Sequence, residues 1–409
     1  MRLLFLAPLL TGLPTPALGG PLTYDQALAQ AVAQAPSLRA RALEVESRQS
    51  AVGPAGQLPD PKLGIGLDNY PVSGPPAFSY AGDSMTMARL GISQDVPNLG
   101  KRRARTGRAL ADVSAAEADR AAEQRRVRVA TGRAWIDLAF AERRLAAVDS
   151  AVARLGRLTP AAVSGVTSGS ARPAQSLDIR QAIIALEDRR TEVAAEVARG
   201  RAALARWTGD PDPHIVAPLP DFTVNPAGLR AALDRHPGLG AARARSQLAE
   251  AGVGIARAEK RPDWGFDVAF QRRAPAYGNM ISIGATVSLP LFAQKRQDPM
   301  IASSTAAAGA AFAEQEDVRR ALAADLEVGL ADHLMHHEQW LRSRDTLVPL
   351  ARRRLDLEIA SYSARRAGLL EVIQAHTMLI DAELQMLDRE ATVARDATRL
   401  MLSYQGDAQ

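Results

Sequence analysis

Trp264-Gly265-Phe266-Asp267-Val268-Ala269-Phe270-Gln271 alternates large apolar residues with small or polar ones. A period of two puts one set of side chains on each face of a β-strand. Turn residues follow in Arg273-Ala274-Pro275-Ala276-Tyr277-Gly278-Asn279. Then Ile281, Ile283, Ala285, Val287 and Leu289 alternate with Ser282, Gly284, Thr286 and Ser288 up to Pro290. The two runs predict a hairpin with strands over about 263–272 and 279–289.

A weaker copy of this hairpin lies earlier. Leu63, Ile65 and Leu67 alternate with Lys62, Gly64, Gly66 and Asp68, and Ala88, Leu90 and Ile92 alternate with Arg89, Gly91 and Ser93. These predict strands over about 62–70 and 84–96. Gly91 and Pro97 return as Gly284 and Pro290, both 193 positions later, and Ser170–Ala182 returns as Ser363–Ala375 at the same separation. Pro36, Leu38, Val52, Gly53, Pro61 and Gly64 return as Pro237, Leu239, Val253, Gly254, Pro262 and Gly265, 201 positions later. The longer first hairpin loop, Pro71–Asp83, can hold the difference. Self-similarity on this scale predicts a duplicated unit: a first repeat at 20–209, a linker at 210–220 and a second repeat at 221–409.

The rest of each repeat reads as helix. Leu229 to about Lys260 is alanine-rich and ends at Pro262. After the hairpins, breaker-poor runs predict long helices over about 99–165 and 293–362, with disruption near Pro160 and Pro349. Gly165, Gly169 and Pro173 in one copy and Gly368 in the other favour a turn, and helices return from it to Trp207 and Leu402.

Composition narrows the class. A net charge of +5 without a block of like charges favours no nucleic-acid partner, and aromatics at 4% are sparse for a globular core. Met1-Arg2, the apolar run Leu3–Leu10 and the small residues through Gly20 predict a secretory signal over 1–19, with Ala17 and Gly19 near the cleavage point. There is no cysteine for a disulfide or a lipid anchor. No later run reaches the roughly 20 apolar residues of a membrane helix. A membrane crossing would therefore need a closed barrel. Four strands do not close one, so the chain would have to oligomerise.

With the hairpins, rods and turns in place, the chain resembles the TolC-type outer-membrane factors of Gram-negative efflux systems over nearly all of its mature length. The motifs that carry the resemblance are Leu58-Pro59-Asp60-Pro61-Lys62-Leu63, Pro97-Asn98-Leu99-Gly100-Lys101-Arg102, Ser361-Tyr362-Ser363 and Leu370-Glu371-Val372. The Pro-x-x-Gly-Lys-Arg stretch is most similar to the heavy-metal (Czc/Cus-like) branch. The resemblance implies a mainly α fold with a small membrane β part. Three chains would form a twelve-stranded outer-membrane β-barrel continued by a periplasmic α-helical barrel. It also implies a homotrimer in outer-membrane lipid, docked to a periplasmic adaptor (membrane fusion protein) and an inner-membrane RND-type pump or ABC transporter. The expected role is a passive exit duct, with metal cations as cargo. The alternatives are drug or organic-solute efflux, type I protein secretion, and, from another class, a soluble periplasmic coiled-coil scaffold or adaptor.

No catalytic constellation is visible, and no cofactor is expected. Gly64-Ile65-Gly66 lacks the rest of a dinucleotide loop. His333, His336 and His337 have helical spacing for a weak metal site, though a polar helix face accounts for them more simply. The resemblance places Glu371 at the periplasmic aperture, with Asp178 as its duplicate and Gln374 where a second acid is common. A ring of Glu371 would favour cations, whereas the plainer role for both acids is to stabilise the first turn of a helix. Ser170, Arg172, Ser363, Arg365 and Gly368 lie at the turns that would dock the adaptor. Arg365, like Arg172, stands where the family carries glycine, so the turn is expected to shift toward Gly368.

Overall fold

The computed structural model describes residues 21–160, 163–164, 173–216 and 218–404. The expected signal segment, Ser170 and Arg172 lie outside these residues. The elements are α1 (Tyr24–Gln34), α2 (Pro36–Ala55), β1 (Lys62–Asp68), β2 (Met87–Val96), α3 (Leu99–Gly156) and α4 (Pro173–Thr208). They continue with α5 (Pro226–Ala232), α6 (Pro237–Ala258), β3 (Asp263–Arg273), β4 (Met280–Ser288), α7 (Gln297–Arg342), α8 (Val348–Ser363) and α9 (Leu369–Tyr404).

Two compact units cut across the sequence repeats instead of coinciding with them. A helical unit takes Met1–Ala35, Arg125–Arg230 and Leu326–Gln409; a sheet unit takes Pro36–Gln124 and Ala231–Asp325. Each unit therefore draws on both repeats.

In the sheet unit, β1-β2-β3-β4 form one antiparallel sheet in that order. The helix expected from Leu229 is broken at Pro237, which starts α6, and the His236 side chain accepts a hydrogen bond from the Gly238 N–H as the N-cap. Proline at the first helical position has no orphan N–H to satisfy. Asn98 caps α3 in the same manner, its Oδ1 accepting from the Lys101 N–H at 2.8 Å.

In the helical unit, Trp135, Leu138 and Phe140 of α3 pack with Val197 and Leu204 of α4 and with Ala391 and Ala394 of α9. The Trp135 indole donates to the Leu22 carbonyl at 3.2 Å, and Leu22 bridges Ile215 in parallel. The long helices are interrupted in two places, each just before one of the two prolines, Pro160 and Pro349. α3 ends at Gly156, short of 165. The run predicted over 293–362 is split by a π-turn at Ser343–Leu347. Pro349 supplies no N–H for the Asp345 carbonyl and its ring crowds that carbonyl, so the helix widens just before it. Arg389 of α9 fills the opening, donating to the Gln339 carbonyl at 3.0 Å and to Ser343 Oγ at 2.5 Å.

Candidate functional site

The sheet is the first part of the site. Its register aligns Leu63, Ile92, Val268 and Ile283 in one row across all four strands, and Ile65, Leu90, Phe270 and Ile281 in the next. These side chains are exposed, Ile65 at 79% and Ile283 at 80%, as are Trp264 and Phe266. The opposite face carries the rows Lys62, Ser93, Asp267, Gly284 and Gly66, Arg89, Gln271, Met280. On it Lys62 pairs with Asp95 at 2.7 Å, and Arg89 approaches Asp267 at 3.9 Å. A sheet with an apolar face open to its surroundings and charge on the other face has the pattern of a lipid-facing barrel wall with a polar lumen.

The duplicated glycines belong to the polar face. A Cβ on Gly284 would lie 2.4 Å from Asp267 Oδ1, and one on Gly91 would lie 3.1 Å from the Ala269 Cβ. A side chain at Gly91 would press on Ala269, and one at Gly284 would make the Asp267 carboxylate swing aside. Tyr70 and Tyr80 fasten the long loop: their hydroxyls donate to the Phe78 and Arg272 carbonyls at 2.8 and 2.5 Å. Below the strands, Lys101 is nearly buried and bridges Asp263 at 2.6 Å and Glu259 at 2.9 Å. Burial opposes its charge, but the hydrogen bonds it donates to the two carboxylates outweigh that and raise its pKa.

The turning ends are the second part. Ile179 of α4 packs with Leu369 and Ile373 of α9, which brings together the segments bearing Asp178 and Glu371. Glu371 and Gln374 are exposed on one face, and Glu371 sits in the first turn of α9. Asp178 differs: α4 starts at Pro173 and has no acid in its first turn, so Asp178 does not serve its helix end as Glu371 does.

The turn after α8 stays at Arg365 instead of shifting toward Gly368. Arg365 has φ 60°, and the Arg366 N–H reaches back to the Ser361 carbonyl at 2.8 Å. This is the left-handed cap that glycine normally supplies. Ser363 turns its hydroxyl inward, donating to the Ile359 and Ala360 carbonyls at 2.9 Å, so the exposed groups here are Arg365 and Arg366.

The three histidines do not converge. His336 Nδ1 lies 2.7 Å from Asp396, whereas His333 and His337 face each other with ring centroids 6.1 Å apart. Burial, together with the neighbouring imidazoles, lowers the His333 pKa against the pull of Asp396. No group of three His, Cys, Asp or Glu is placed to hold a metal ion among the described residues. Sequence reading missed Asp396 because nothing in its spacing from His336 marks the contact. It missed the anchor of Asn98, Lys101 and Asp263 as well, although Asn98 directly before a helical run is a cap signal.

An amphipathic sheet with two open edges, carried by a duplicated long-helix chain, defines a channel-forming outer-membrane protein. The chain belongs to the outer membrane efflux protein family, which it matches over residues 27–210 and 228–404. It is 23% identical over 373 residues to the cobalt-zinc-cadmium resistance protein CzcC of Cupriavidus metallidurans, covering 90% of this chain and 86% of that one. In fold it is similar to a membrane protein from Pseudomonas aeruginosa, with a TM-score of 0.81, 17% identity and coverage of 94% and 90% of the two chains. It is also similar to CusC, with a TM-score of 0.79, 16% identity and coverage of 94% and 92%. The protein is thus an outer-membrane efflux channel with a large periplasmic helical part.

Proposed function

We propose that three copies of this chain form the passive exit duct of a tripartite efflux system whose cargo is divalent metal cations. The observation that carries the duct is the sheet: its apolar rows span four strands, and β1 and β4 are each left with one open edge. Three such sheets give twelve strands, and closure removes every edge. A duct of this kind has no catalytic step of its own, and energy and selection come from an inner-membrane pump reached through a periplasmic adaptor. The exposed Arg365 and Arg366 are the docking groups for that adaptor, and Ser170 and Arg172, the counterparts of Ser363 and Arg365, serve it in the first repeat. The secretory signal over 1–19 delivers the chain to this compartment.

The name of CzcC supports metal cations as cargo, and the exposed Glu371 supports a cation-favouring aperture. Around a threefold axis Glu371 becomes a ring of negative charge that attracts cations. Growth on cobalt, zinc and cadmium salts tests the cargo. A strain lacking this chain should lose tolerance to those salts and keep tolerance to organic solutes; the reverse pattern would assign the duct to drug efflux.

A further inference from the structure

The apolar face of the sheet ends in a charge. On β3, Trp264, Phe266, Val268, Phe270 and Arg272 fall on one face, and all five are exposed. The register aligns Arg272 with Ala88 of β2, which aligns in turn with Leu67 of β1. Among the described strand residues on this face, Arg272 is the one that carries a charge. It also sits at the loop end. The strands join α2, α3, α6 and α7 of the same unit at Lys62, Val96, Asp263 and Ser288, so both hairpin loops lie at the opposite end. Those helices lead into the periplasm, and the loop end therefore faces the outer leaflet.

The neighbouring Arg273 is already engaged within the chain. It falls on the other face, donates to the Gly278 and Ser84 carbonyls at 2.7 and 3.3 Å, and lies over the Tyr277 ring. Arg272 engages through its backbone, where its carbonyl accepts from the Tyr80 hydroxyl. Its guanidinium has no hydrogen bond or ion pair among the described residues. Tyr70, Phe78 and Tyr277 are exposed at the same end, as in the aromatic girdle of a membrane boundary.

A charge on the lipid face is costly at the middle of a bilayer and tolerated at its boundary, where a headgroup can meet it. A guanidinium offers paired N–H donors that match two phosphate oxygens at once. The exposed Phe270 and its cross-strand partner Ile281 continue the surface inward from Arg272, so the matching occupant joins a phosphate to acyl chains. The outer leaflet is built of glycolipid whose sugar headgroup carries such phosphates. We propose that Arg272 binds a phosphate of that glycolipid, with the acyl chains lying along Phe270 and Ile281. β3 is paired on both sides, so the site is clear of the open edges and complete within one chain. The proposal rests on the lipid-facing reading of the sheet and adds the headgroup that the sheet recognises.

Melting of the full-length protein in detergent tests this. Diphosphoryl lipid A should raise the melting temperature of the wild-type chain by several degrees, and Arg272→Gln should lose that rise. Dephosphorylated lipid A and inorganic phosphate should raise neither. An equal rise in Arg272→Gln, or an equal rise of the wild-type chain with phosphatidylglycerol, overturns the assignment. So does a lower melting temperature of Arg272→Gln without lipid, which would mark a partner inside the chain. Quenching of Trp264 fluorescence by brominated acyl chains, read as the difference from Trp264→Phe, tests the wall separately. Quenching without a phosphate effect removes the headgroup and leaves the wall standing; no quenching overturns both.

Discussion

Lys101 Nζ lies 2.6 Å from Asp263 Oδ2, 162 residues further along the chain, so the cap of α3 in one repeat is tied to the first residue of β3 in the other. Asn98 completes the tie, its backbone N–H and side-chain amide both donating to Asp263 Oδ1. Replacing Lys101 with Met leaves the Asp263 charge without its ammonium partner. The expected cost is about 2 kcal/mol, below that of breaking a fully buried pair because Asp263 retains 28% exposure. Thermal unfolding in detergent should show the loss, and adding Asp263→Asn should recover part of it.

Arg365 holds a left-handed conformation that costs a non-glycine residue about 1 kcal/mol. Arg365→Gly should tighten the turn, slowing amide exchange at Arg366 and Ala367 about fivefold. If the turn instead relied on contacts of the Arg365 side chain, exchange would become faster.

His376 is buried in α9 with no hydrogen-bond partner for Nδ1 among the described residues, and burial followed by the nearby Arg154 lowers its pKa. Above the unfolded value of about 6.5 both states are neutral and the residue adds no pH dependence. Below it the unfolded chain takes up the proton first, so stability falls as pH drops from about 6.5 through the depressed folded value. The melting temperature should therefore decline between pH 7.5 and 5.5. His376→Ile, which copies the Ile183 counterpart in the first repeat, should flatten that decline.

His333→Ala/His337→Ala should leave cation tolerance unchanged, because the three imidazoles do not share a site. Growth on cadmium salts reads this directly, and a loss of tolerance would restore the metal-site role.

Much of this architecture was legible in the residues. The Trp264–Phe270 alternation and the returning Gly91 and Gly284 carry the hairpins, since a period of two is a local signal. The breaks at Ser343 and Pro237 were harder to place. Pro349 marks disruption, but the π-turn depends on Arg389 arriving from another helix, which no local pattern encodes. The turn after α8 was legible as a turn and misread in detail, because a cap that wants glycine was found to accept Arg365. At the histidines, spacing gave adjacency, but the partner of His336 is a carboxylate 60 residues away.

The central claim is that one face of the sheet meets lipid and the other a watery lumen. Spin labels placed singly from Gly265 to Phe270 in outer-membrane vesicles test it directly. Accessibility to oxygen should peak at Phe266, Val268 and Phe270, and accessibility to a polar nickel reagent at Gly265, Asp267 and Ala269, with a strict period of two. Equal exposure of all six positions to the polar reagent would contradict a membrane wall.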